Sequence, residues 1–234
     1  MFAFNDTNTY LVYLIALAGL LHACLQLPSA SLLHMLTSTM GRNDYYKAVR
    51  LTVAMALGVA LTTGVLLMLF SLLASLPYTL YSHLISGSLV VFSGLFVMLR
   101  YFRNDQAAGL WVPRTRIRWL HKKIESIGNV PSAFGLGIVT ILTELVVSFP
   151  LLLAAGSLLT YQEATVVATG FLAYVGLATL PVLVFGISVA CGISPARLQR
   201  WRSDGKHFWQ FFIGLAMICY GLYIASEQFI GNGI

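Results

Sequence analysis

The chain has 234 residues, of which 58% are hydrophobic and 9% charged, with a net charge of +6. Soluble domains carry about 25% charged residues, and a surface so poor in charge cannot be kept in water, so a soluble fold is excluded. Cys24, Cys191 and Cys219 are odd in number and widely spaced, which excludes a disulfide framework and zinc-ligand spacing.

A membrane span needs about 20 apolar residues. Six runs meet or nearly meet that length: 11–33, 51–74, 80–99, 133–158, 164–190 and 208–225. The first lacks a basic leading region and a small-residue cleavage site, so it is expected to be a retained helix. It contains LLHACLQLP, which puts His22, Gln26 and Pro28 in an apolar setting, and His34 and Met35 follow at its end. The second run carries Thr62 and Thr63, and the short turn SLPYT leads to the third. Between the third and fourth runs lies the one long gap. There Ile117, Leu120, Ile124 and Ile127 recur at helical spacing among basic residues, with Trp111 and Trp119 close by. That pattern suits an amphipathic helix on a lipid surface or a solvated linker. The fourth run contains LTELVVSFP, with Glu144, Ser148 and Pro150; the fifth carries Thr179 and Pro181.

All 14 Lys and Arg residues fall in alternate gaps. Arg42, Lys47 and Arg50 lie in the first, the seven from Arg100 to Lys123 in the third, and Arg197, Arg200, Arg202 and Lys206 in the fifth. The positive-inside rule then puts the loops 41–50, 100–131 and 192–207 in the cytoplasm and both termini outside. Six spans return the chain to its starting side, so the assignment is self-consistent. The net charge is thus a topology signal and not a nucleic-acid footprint.

The first three runs can be laid over the last three. Pro28 falls on Pro150, His22 on Glu144 and Gln26 on Ser148. LGVALT at 57–62 falls on VGLATL at 175–180, and GSLVVFSGLFV at 87–97 on GLAMICYGLYI at 214–224. Three matches in order predict an internal repeat of two three-helix units, 1–101 and 132–234, joined by a linker at 102–131. An odd number of spans per unit makes the two copies enter the membrane from opposite sides. Inverted repeats of this kind place their binding sites near mid-bilayer, at helices interrupted by Gly or Pro. Pro28, Pro150 and Pro181 are expected to break their helices. The fold class is therefore an all-α polytopic membrane protein of six transmembrane helices in a 3+3 inverted-topology repeat.

With proline-interrupted first and fourth runs and G-x₆-G-L-[FY] in the third and sixth, the chain resembles the LysE superfamily. AGLLHAC (18–24) and FLAYVGLATLPVLVFG (171–186) are similar to motifs of its DsbD/CcdA-like branch, which includes UreH-like and sulfite-exporter-like proteins. The resemblance covers all six runs. It implies a six-span protein of the bacterial cytoplasmic (inner) membrane and a transport function. The redox members of that branch carry a cysteine in both the first and fourth spans. Here Cys24 has no counterpart in ELVVSFP, which argues against a thiol–disulfide electron conduit.

Glu144 is the one acidic residue inside an apolar run. An ionised carboxylate at the bilayer centre costs at least about 2.5–3.5 kcal/mol, so it should face the bundle interior. The repeat brings His22 towards it, with Gln26 and Ser148 a turn away. Two readings stay open for this group: a substrate- or proton-binding pair, or a polar lock between two central helices. Thr62, Thr63 and Thr179 are secondary cavity candidates, or they bond their own helix backbones. His34 and Met35 are weak soft-metal candidates, and Gly58, Gly64, Gly87, Gly94, Gly176, Gly214 and Gly221 are expected at close helix contacts. No cofactor or catalytic group is expected, and the chain is not expected to be an enzyme. The function expected is export of a small solute or cation by alternating access, with possible proton coupling. The alternative is an accessory or assembly subunit in metalloprotein or cytochrome maturation. The partners expected are the bilayer, a small solute or ion, and a second copy or another membrane protein, with no nucleic acid.

Overall fold

The computed structural model describes residues 6–25, 27–39, 45–75, 82–102, 124, 129–160 and 162–231. Every regular element among them is helical. We label the helices α1 (Asp6–Cys24), α2 (Leu27–Thr39), α3 (Tyr45–Ala74), α4 (Ser82–Phe102), α5 (Val130–Leu159), α6 (Ala164–Ala190), α7 (Pro195–Asp204) and α8 (Lys206–Gly231). Five segments are long and apolar enough to cross a membrane: Asn8–Ser38 (α1 with α2), α3, α5, α6 and Phe208–Ser226 of α8. In α4 the apolar stretch is shorter, His83–Leu99.

These lengths follow from sequences dominated by Leu, Val, Ala and Ile, in which polar members are few and mostly small. Such helices satisfy their own backbone groups and expose apolar side chains. Val53, Leu57, Leu61 and Val65 line the outer face of α3, while Met55, Val59 and Leu67 are fully buried on the other. In lipid the outer face needs no cover.

Helix directions can be read from close backbone approaches. Ile15 and Tyr174 lie against Gly170 and Gly19, so α1 and α6 run parallel. Gly58 backs onto Phe134 and Gly137, and Ser71 onto Gly156, so α3 and α5 also run parallel. Thr52 meets Gly186 whereas Gly64 meets Phe171, so α3 and α6 are antiparallel. It follows that α1 and α5 run in opposite senses. The α4–α8 pair is antiparallel and crosses on glycines. A Cβ on Gly87 would stand 2.6 Å from the Gly221 carbonyl oxygen, and one on Gly94 would stand 2.7 Å from that of Gly214. Gly214 and Gly221 make the reciprocal approaches at 2.9 and 2.6 Å. Only glycine permits backbones this close.

Gly176 was expected at such a contact and is not at one: a Cβ there would meet nothing within 4 Å. The proline expectations also need correction. Pro150 and Pro181 lie inside α5 and α6, which continue past them. A proline removes a single ladder bond, and in a helix held on several sides by neighbours that loss need not end the helix. Only Pro28 belongs to an interruption. There α1 ends at Cys24, Leu25 closes a turn by donating to the His22 carbonyl at 3.0 Å, and α2 restarts at Leu27.

The helix α7, in the last basic stretch, was not anticipated. Its charged sequence PARLQRWRSD reads as a loop, yet Ser194, Pro195 and Gly205 are ordinary start and stop signals. The amphipathic stretch proposed around Trp111–Ile127 lies outside the described residues except for Ile124, which is helical and buried in the core.

Candidate functional site

The polar interior is built from four helices. From α1, His22 reaches Tyr174 of α6, with Nδ1 3.0 Å from the phenol oxygen and ring centroids 5.7 Å apart. The parallel packing of α1 on α6 over Gly19 brings the two side chains together. From α5, Glu144 lies within electrostatic range of the Tyr174 hydroxyl, as does Tyr220 of α8. All four are withdrawn from solvent: His22 is 3% exposed, Glu144 1%, Tyr174 0% and Tyr220 3%.

His22 and Glu144, expected to meet, both act on Tyr174, the first through a hydrogen bond and the second electrostatically. The imidazole bonds to Tyr174, and its Nε2 has no hydrogen-bond partner among the described residues. Tyr174 was missed because a tyrosine in an apolar run reads as core or interface anchor. Its partner is 152 residues away, and nothing local marks the pairing.

In chemical terms, Tyr174 and His22 share one proton position. Either the phenol donates to Nδ1, leaving the imidazole proton on Nε2, or Nδ1–H donates to the phenol oxygen. In the first case Nε2 is a donor, and in the second an acceptor. A carboxyl group within electrostatic range of the phenol biases that choice, because a negative charge favours the arrangement that keeps positive hydrogen density near it. The cluster can therefore hold or pass a proton, or contribute oxygen and nitrogen atoms to a small cation.

The other expected site residues divide clearly. Ser148 is fully buried, and its hydroxyl donates to the Glu144 backbone carbonyl at 3.3 Å. Gln26 lies outside the described residues, and for Pro28 only the backbone helix is described. Thr62 donates to the Gly58 carbonyl at 2.8 Å, and Thr179 to those of Val175 and Gly176 at 2.9 and 3.0 Å. Both hydroxyls thus serve their own helices. Thr63 differs: it is fully buried and its Oγ1 has no hydrogen-bond partner among the described residues. Met35 is buried in the core, and His34 is half-buried beside it. Among the described residues no three His, Cys, Asp or Glu side chains gather as metal ligands. Cys24, Cys191 and Cys219 are free thiols.

Comparison with models of known protein families, with curated proteins and with solved structures finds no match to this chain.

Proposed function

We propose that the chain is a six-span membrane transporter that moves a small solute or cation by alternating access between two inverted three-helix units. The polar cluster of His22, Tyr174 and Glu144 is the observation that carries this reading. Burying an ionisable pair inside an apolar helix bundle is expensive, and such groups by default mark ion, proton or substrate paths. Here His22 comes from the first unit, and Tyr174 and Glu144 from the second, so the cluster would sit on the seam between them.

Three further observations support the architecture. The apolar stretch of α4, His83–Leu99, extends about 26 Å at 1.5 Å per residue, at the short end of what a crossing needs. Helices that correspond in the repeat, α1 with α5, α3 with α6 and α4 with α8, run in opposite senses. The glycine crossing has the form a pseudo-twofold axis requires, because the repeat exchanges the Gly87–Gly221 approach with the Gly94–Gly214 approach. The resemblance of the motifs to the LysE superfamily points the same way. In this reading the protein resides in the bacterial inner membrane with its basic loops in the cytoplasm.

A second reading draws on the same burial: a centre this closed also suits an accessory membrane subunit in which the cluster locks the helices. Reconstitution distinguishes the two. In proteoliposomes carrying an internal pH dye and an imposed pH gradient, a panel of small cations and organic solutes is added outside. The transporter reading expects at least one solute to dissipate the gradient in wild type and not in Glu144→Gln. No response to any solute, with equal leak in both proteins, favours the accessory reading.

A further inference from the structure

A cavity of about 410 Å³ opens where the start of α3 meets the start of α5, well separated in sequence from the buried cluster. Tyr46, Lys47, Arg50 and Leu51 form one wall, and Asn129, Val130 and Pro131 the other. That volume falls within the range of about 300–1,000 Å³ typical of small-molecule sites. None of the lining residues is acidic, and two are cations. The Arg50 guanidinium lies over the Tyr46 ring, 5.9 Å from its centroid, which holds the planar fork in place. A guanidinium fork matches the oxygens of a phosphate, and an ammonium group beside it adds a point charge.

Tyr46 and Arg50 also begin a stripe. Continuing up the same face of α3 at helical spacing come Val53, Leu57 and Leu61, which are 46%, 58% and 55% exposed. A cationic pocket that runs directly into an exposed apolar track has the form of one amphiphilic molecule. We propose that this pocket binds the phosphodiester headgroup of an anionic phospholipid, with an acyl chain lying along Val53, Leu57 and Leu61. A soluble phosphoanion shares the headgroup chemistry, but it would make no use of the apolar track. The assignment rests on the membrane placement of α3 with its basic end at the headgroup level, and it is independent of whether the protein transports anything. Basic pockets between spans at that depth suit anionic headgroups.

Native mass spectrometry of the full chain in detergent tests the assignment. Phosphatidylglycerol, phosphatidylcholine with the same acyl chains, and inorganic phosphate are each titrated against wild type, Arg50→Gln, Lys47→Gln and Leu57→Ser. Phosphatidylglycerol is expected to bind at least about tenfold tighter than phosphatidylcholine. Arg50→Gln is expected to weaken it by about tenfold, the equivalent of one charge-assisted hydrogen bond. Lys47→Gln should weaken it in the same sense, and Leu57→Ser should weaken both lipids together. Melting temperatures without lipid identify any variant that has lost its fold, and the wild-type comparison of the two lipids stands without the variants. Equal binding of the two lipids, binding of neither, or an unchanged phosphatidylglycerol affinity in a folded Arg50→Gln protein would overturn the proposal. So would tight phosphate binding without lipid preference, which would assign the pocket to a soluble anion.

Discussion

His22 and Tyr174, 152 residues apart in the chain, share a hydrogen bond of 3.0 Å inside the helix bundle. The bond ties α1 to α6, and its phenol end lies in the field of Glu144. Tyr174→Phe removes it and leaves the Nδ1 atom of a buried imidazole without its partner. The expected loss of stability is about 1–3 kcal/mol, read as a lower melting temperature in detergent. His22→Phe, which replaces the polar ring by an apolar one of similar size, should restore part of that loss in the Tyr174→Phe background. With His22→Phe alone measured as well, a double variant that loses the sum of the two single losses would show that the bond does not couple the two helices.

Glu144 separates structural from functional roles. Glu144→Gln keeps the shape and removes the possibility of charge, so the fold should survive with its melting temperature unchanged or raised, while flux is lost. Glu144→Lys places the opposite charge among apolar neighbours and should cost more than about 3 kcal/mol. The measurement is thermal unfolding of both variants beside the proteoliposome assay.

The glycines divide into two classes with opposite expected behaviour. Gly87→Val and Gly221→Val push a side chain into the facing backbone and should destabilise the α4–α8 crossing by about 1–3 kcal/mol or more. Gly135→Ala and Gly176→Ala meet nothing within 4 Å. In mid-helix they should be neutral or stabilising by up to about 1 kcal/mol. Melting temperatures of the four variants, measured in one detergent, check the division.

Sidedness can be tested with thiols. Cys191 is exposed just beyond α6, next to the last basic stretch. In the proposed topology a membrane-impermeant maleimide labels it in inside-out vesicles and not in intact cells. A cysteine introduced at the exposed Glu163, between α5 and α6, should show the reverse. Labelling of both from the same side would contradict the orientation of α6.

The helical class and the approximate spans were legible because uncharged apolar runs of this length have few alternatives. His22 and Glu144 were legible for the same reason, since an ionisable group in such a run must turn inward. Tyr174 was not, because an aromatic with one polar atom looks the same whether it faces lipid, the core or a histidine. The two prolines inside α5 and α6 misled in the other direction. Proline predicts a lost hydrogen bond, but whether the helix then breaks depends on packing that only the fold supplies. Gly176 failed similarly: its sequence context matches that of Gly58, which is packed against α5, yet it faces open space.

The most direct test of the account is the reactivity of a cysteine at Ser148, one turn from Glu144 and fully buried in this conformation. Ser148→Cys is placed in a background lacking Cys24, Cys191 and Cys219, and challenged with a small impermeant thiol reagent from each side of the membrane. Alternating access at this cluster predicts modification from both sides, at rates that the transported solute shifts in opposite directions. Protection from both sides under all conditions, in a protein that retains its fold, would contradict it.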